Sequence, residues 1–393
     1  MKKALKIILT ALLVEFLSIL AIYGISYAFH EGGVGYCEGC HIQHESQNGD
    51  IKDVDEGVRT GQIKGSDPSS NCLRCHGTDQ REFSDVLSKD GSVYSSGGDF
   101  YWLKKSFTWN TNGRYYQSTG DSHGHNVIAA DYGLNQDIKL NSAPGGTYPA
   151  AAMSCTSCHD PHGKTGNADT IAVISVSGSY GELPPEGTIA GNYILLGGAG
   201  YSGGTQLSGI TFTQPAPIAK ANPRKWTETD SNHTAYGSGM SEWCSNCHTD
   251  YLNGNNKHSA GNSAKLNNDI ASNYNSYVKT GDLTGTKADA YLTLVPFELG
   301  TTDKSPLNPS STSGPEAGKA NVMCLTCHRA HASAFQNIGR WDFSATFIAN
   351  SHPQPTDGGV SGNDALNSYY GRNMAAEFGQ YQRQLCNKCH IQD

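Results

Sequence analysis

Every cysteine of this chain belongs to one repeated unit, Cys-x-x-Cys-His, and that arrangement limits the fold more than any other feature. The twelve cysteines fall in Cys37-Cys40-His41, Cys72-Cys75-His76, Cys155-Cys158-His159, Cys244-Cys247-His248, Cys324-Cys327-His328 and Cys386-Cys389-His390, with none left over. On one helical turn, thiols three residues apart lie on the same side and can add to the two vinyl groups of a haem as thioethers. The adjacent histidine then meets the iron. A zinc site needs four ligands converging from two pairs and gives no reason for a histidine after every second cysteine. A thioredoxin-like site needs one such motif in a βαβ setting, and a disulfide framework has no use for the histidines. Six covalently bound haem c groups are expected.

Those groups also answer a composition problem. Hydrophobic residues make up 37% and charged residues 16% of 393, with 46 glycines, so side-chain burial alone would offset little of the entropy lost on ordering. Six apolar haem planes, each with roughly 60 residues to wrap it, supply a core. The expected fold class is a multihaem cytochrome c, mostly coil, with short helices around the motifs and a few short strands. Long Gly, Ser, Asn and Thr stretches such as 253–268 and 301–318 carry neither helical nor strand periodicity. Further helices are expected over 270–279, 288–295 and 372–388, and strands over 170–177, 192–196 and 210–213. Motif starts are 35, 83, 89, 80 and 62 residues apart, too uneven for a solenoid.

Residues 1–28 read as a signal peptide: Lys2, Lys3 and Lys6 precede an apolar run from Ile7, and Ser26-Tyr27-Ala28 offers small residues for cleavage. The alternative is a retained anchor, since residues 7–28 are long enough to span a bilayer, although Glu15 interrupts them. Residues 29–393 then form a single hexahaem domain of an exported protein. The net charge is −8, and −10 once the leader's three lysines and one glutamate are gone. With no basic block to release counterions from phosphates, nucleic acid is excluded as a partner.

The sixth ligand of each iron separates an electron carrier from a ligand-binding catalyst. Nine histidines lie outside the motifs, and methionines are scarce, so bis-histidine ligation is the economical arrangement. His44, His162 and His331 each follow their motif histidine by three residues. A side chain so placed cannot reach the far face of its own haem, so each must serve another iron and hold two haems close together. His125 and His258 sit in loops able to fold over a haem face, and His30 is well placed to tie down the amino terminus. His123, His233 and His352 are surplus and read as solvated loop residues, although His123 and His125 could exchange. Gly198 to Gly203 satisfies G-x-G-x-x-G, but no helix pattern follows to receive a pyrophosphate.

The chain resembles the OmcS-type hexahaem outer-surface cytochromes, which polymerise into extracellular electron-conducting filaments. The resemblance rests on 29–33, 97–100 with 102–105, 124–126, 143–149, 235–244, 274–300, 324–333 and 369–390, whereas 45–70, 164–224 and 335–366 match poorly. It implies bis-histidine ligation of all six haems and a haem chain running from each subunit into the next. The family's distal ligands fall on His30, His44, His125, His162, His258 and His331. It also implies that His44 caps the haem held by His328 in a neighbouring subunit. The expected partners are other copies of this chain and extracellular electron acceptors such as metal oxides or other cells, at the outer cell surface.

Two function classes follow, with a variant of the first. A conduit with six closed haems relays electrons and is no enzyme, whereas a multihaem reductase keeps one iron open beside proton donors and anion-binding side chains. Distal candidates outnumber irons nine to six, which favours the conduit. The same haems in a soluble periplasmic shuttle would satisfy composition equally well.

Overall fold

The computed structural model describes residues 40, 46–47, 50–51, 63–77, 85–161, 196–202, 208–221, 227–253 and 259–391. The proposed leader, Cys37, His41, His30, His44, His162, His258 and the expected strand over 170–177 lie outside them, as does 192–196 apart from Leu196. Coil dominates. Among the described residues the longest helices, α1 (Pro68–His76) and a later one over Asn268–Ser276, have nine residues. No helix among them is long and apolar enough to cross a membrane.

Three two-stranded antiparallel hairpins provide the sheet: β1 (Ser46–Gln47) with β2 (Asp50–Ile51), β3 (Phe107–Thr111) with β4 (Arg114–Ser118), and β5 (Ile218–Lys220) with β6 (Ala235–Ser238). The second hairpin closes on Asn112 and Gly113, at φ of 52° and 73°. An Asn-Gly pair of this kind matches the right-handed strand twist. That signal stands in the sequence beside Phe107, Trp109 and Tyr116.

A short polar cap starts the helix at motif 2. Asp67 accepts from Ser70 N–H at 2.7 Å and Pro68 opens α1. The later helices are α2 (Met240–Cys244), α3 (Thr249–Asn253), α4 (Asn268–Ser276), α5 (Cys324–Cys327), α6 (Asp364–Asn367) and α7 (Met374–Phe378). Motifs 3 and 6 carry single 3-10 turns, Cys155–Ser157 and Leu385–Lys388. In motifs 3 and 5 a hydroxyl inside the motif caps its own start: Ser157 Oγ accepts from Ser154 N–H at 2.9 Å, and Thr326 Oγ1 from Met323 N–H at 3.1 Å.

Three expected elements differ. The helix expected over 288–295 reduces to a 3-10 turn at Lys287–Asp289. From Ala290 to Val295 every residue is buried, so no face is left for solvent and the chain runs through the core. Side chains hold its backbone instead: Tyr274 Oη accepts from Leu292 N–H and donates to Val295 C=O, and Asp230 accepts from Thr293 N–H. The helix expected over 372–388 is interrupted at Gly379, whose φ is 92°. The strand expected over 210–213 has no ladder; Phe212 exchanges one pair of backbone bonds with Gly200 and Tyr201, and Thr213 N–H turns to Asn246 Oδ1. The described residues after the Gly198–Gly203 stretch, 208–217, contain no helix.

Apolar side chains gather in three clusters along the motifs. One surrounds Leu73, Phe100, Trp102 and Phe107, a second Tyr236, Met240, Met323 and Leu325, and a third Tyr274, Leu294, Trp341 and Leu385.

Candidate haem-binding sites

Motifs 2 to 6 lie among the described residues, with Cys40 of motif 1. Every cysteine among them is half-buried and forms no disulfide. No group of three or more His, Cys, Asp or Glu side chains among the described residues is placed to cage a metal.

Successive motifs meet in chain order. Cys72 contacts Cys155, and Cys244 contacts Cys324. Between these two contacts, Cys158 lies within electrostatic reach of Cys247, and beyond them Cys327 lies within reach of Cys386 and Cys389. Both direct contacts use one device. Ser69, three residues before Cys72, accepts from Cys155 N–H at 3.0 Å, and Ser241, three before Cys244, accepts from Cys324 N–H at 2.9 Å. Both serines are fully buried.

Two described histidine pairs have the ring separation that two ligands of one metal would need. Imidazoles on opposite faces of one metal have centroids roughly 6 Å apart, given bonds of about 2 Å to the metal and about 1 Å from each nitrogen to its ring centre. His125 and His248 stand 6.0 Å apart, and His159 and His331 stand 6.3 Å apart. Thus His331, three residues past motif 5, faces the histidine of motif 3, and His125 faces that of motif 4.

One knot of backbone places both His125 and His331. Gly97 C=O accepts from Ala330 and His331 N–H, Asp99 N–H donates to Ala332 C=O, and His125 N–H donates to His331 C=O. A Cβ on Gly97 would sit 2.7 Å from the His331 ring, and Gly98, at φ 98°, brings its backbone against the Ala332 carbonyl. Only glycine fits such an approach. Phe100 stacks on His331 at 4.8 Å.

Hydrogen bonds at Nδ1 fix the tautomer of three candidate ligands. His125 Nδ1 donates to Ala330 C=O at 2.6 Å, His248 Nδ1 to Pro144 C=O at 2.7 Å, and His328 Nδ1 to Asn337 C=O at 2.8 Å. A carbonyl only accepts, so Nδ1 carries the proton and Nε2 keeps its lone pair. Burial pushes His125 down to about 4 and His331 to about 3, and lowers His248 and His328 as well. Each imidazole is therefore neutral at pH 7, the form a metal binds.

The surplus histidines are not solvated loops, contrary to expectation. His123 is fully buried, its Nδ1 bonded to Trp102 C=O and its Nε2 to Ser118 Oγ at 2.6 Å. His233 is buried against Tyr291 with ring centroids 3.7 Å apart, its two nitrogens bonded to the Thr234 and Ser311 carbonyls. His352 lies flat on Trp109 at 4.2 Å and bonds Asp357 at 2.5 Å. In His123 and His233 both ring nitrogens are spent, which removes them as ligands. Their partners lie on other elements, a distant loop or neighbouring residues, and no residue pattern announced them.

Thiol pairs each followed by a histidine, arranged in series and faced by neutral imidazoles, define a multihaem c-type cytochrome. The chain belongs to the OmcS family: it is 40% identical, over the full length of both proteins, to the C-type cytochrome OmcS of Geobacter sulfurreducens. It also matches an outer membrane cytochrome S filament from Geobacter sulfurreducens, with a TM-score of 0.77, and OmcS nanowires of the same organism seen by cryo-electron microscopy, with 0.76. Each match has 38% identity and covers 93% of this chain and all of the other. No family model matches the chain.

Proposed function

We propose that this chain is an extracellular electron conduit, a hexahaem c-type cytochrome that assembles end to end into a filament. Membership of the OmcS family supports the filament, the outer-surface location and electron transfer. The observation that carries the ligation is the pair of facing imidazoles, His125 with His248 and His159 with His331.

Haem c, when bound, supplies a one-electron iron centre and a conjugated plane. The chain's own residues do the rest. Each Cys pair fixes one plane covalently, and the carbonyls of Ala330, Pro144 and Asn337 orient the ligand rings. The Ser69 and Ser241 braces hold successive motifs together, so the centres follow chain order. The histidines that would hold the irons are His41, His76, His159, His248, His328 and His390, joined by His30, His44, His125, His162, His258 and His331. Residues 29–393 form one domain behind a cleaved leader, and the chain carries out no enzymatic reaction. His44, given by a neighbouring subunit, closes the haem of His328 and makes the junction between subunits.

Carbon monoxide tests the closed set. Reduced, haem-loaded filaments leave the absorption spectrum unchanged on addition of the gas. A spectral change amounting to one haem in six would instead place an open iron in the chain and favour the reductase.

A further inference from the structure

Against the backbone of motif 5 lies a buried charge cluster that ligation does not use. Arg329 and Arg340 are 3% and 1% exposed and Glu228 is 5% exposed. One carboxylate oxygen of Glu228 stands 2.6 Å from Arg329 Nη1 and 3.5 Å from Arg340 Nη1. Arg340 Nε donates to Leu325 C=O at 2.6 Å and to His328 C=O at 3.1 Å, and its Nη1 to Thr293 C=O at 2.7 Å. Arg329 follows His328 directly, stacks on Tyr370 at 3.7 Å and reaches the Ser95 and Ser96 carbonyls. Glu228 Oε1 and Arg340 Nη2 have no hydrogen-bond partner among the described residues.

A guanidinium does not give up its proton in a protein. Two such cations and one carboxylate leave one positive charge in a water-poor chamber, held against the backbone of the residue that ligates motif 5. Burying unequal charge is costly, and packing alone would be served as well by apolar side chains. Its electrostatic effect has a definite sign. Positive charge near a redox iron favours the reduced state, whose charge is lower by one, and low polarity keeps that effect strong.

We propose that Glu228, Arg329 and Arg340 set the reduction potential of the haem at motif 5, the arginines raising it and the glutamate lowering it. This rests on the haem reading of that motif. They are positioning residues acting through the field, not ligands.

The test is spectroelectrochemical titration of the purified, haem-loaded protein, with haem number per chain checked by mass. In Arg329→Gln the ratio of reduced to oxidised haem at motif 5, at a fixed applied potential, falls on the order of tenfold, as expected for a unit charge about 10 Å away at an effective dielectric constant of about 20. In Glu228→Gln the ratio rises by a similar factor. Both shifts are confined to one-sixth of the haem absorbance. Arg329→Lys keeps the charge, and its potential stays near the parent's.

Opposite signs are the decisive feature, because a merely loosened chamber admits water and lowers the potential in both variants. Potentials that do not move, that move downward together, or that fall in Arg329→Lys as in Arg329→Gln would overturn the proposal while six haems per chain leave the haem reading intact. Fewer than six haems in the parent would overturn the haem reading and the tuning with it.

Discussion

The contact between motifs 2 and 3 and the contact between motifs 4 and 5 are built alike and charged differently. In each, a buried serine three residues before the first cysteine accepts the backbone N–H that opens the next motif. In each, an acid caps the start of the helix that carries the serine. For α1 that acid is Asp67, half-buried, accepting from Ser70 N–H. For α2 it is Glu298, fully buried, accepting from Met240 N–H at 2.7 Å. The Glu228–Arg329–Arg340 cluster packs against motif 5 with two cations to one acid, whereas the apolar cluster around Leu73 and Phe107 is bordered by a single balanced pair, Lys105–Asp364. Repeated geometry thus spaces the centres, while the depth of the neighbouring charges makes them unequal.

The likeness is broken most severely at the ligands. Motif 3 from one contact is faced by His331, and motif 4 from the other by His125. His331→Ala and His125→Ala should each open one haem, so that the reduced protein binds one carbon monoxide per chain in either variant. If only one of them does so, the two sites are not equivalent.

The acids come next. Burial, opposed by the bonds from Met240 and Asn321, pushes Glu298 up from 4.5 to about 7. A carboxyl raised in the fold is held neutral there. Its contribution is fully present below the unfolded value of 4.5 and is lost as pH rises through 7. The shift corresponds to about 3 kcal/mol of stability lost over that window. In denaturant melts of the loaded protein, Glu298→Gln should flatten the dependence between pH 4.5 and 7. An undiminished dependence in that variant would remove Glu298 as its source.

The serines carry the smallest effect. Ser69→Ala and Ser241→Ala each strand one buried N–H, of Cys155 or Cys324, at a cost of about 1–2 kcal/mol. Equal losses of melting temperature would confirm a shared device, whereas a loss at one serine alone would make the other bond incidental.

Local chemistry was readable and long-range packing was not. The motifs, the coil-rich fold and the helix at Asn268–Ser276 follow from spacing and caps that lie within a few residues. The Asn112-Gly113 hairpin was equally local. By contrast, 290–295 is an apolar run whose backbone partners, Tyr274, Asp230 and Thr312, come from elsewhere in the chain. The fate of His123 was set by Trp102 C=O and Ser118. His125, two residues on, has only its Nδ1 bonded by Ala330. Burial is common to both rings, and the partner of the second nitrogen separates them. Glu228, Arg329 and Arg340 are drawn together across a hundred residues and carry no mark in the sequence.

The central claim is a continuous series of closed haems passing from subunit to subunit. Electron cryo-microscopy of the haem-loaded protein sheared from the cell surface tests it most directly. The account predicts uniform filaments, with iron between His125 and His248 and between His159 and His331, and a neighbouring subunit's histidine on the haem of His328. Discrete particles, or an iron at motif 3 or 4 bound by a single histidine, would contradict it.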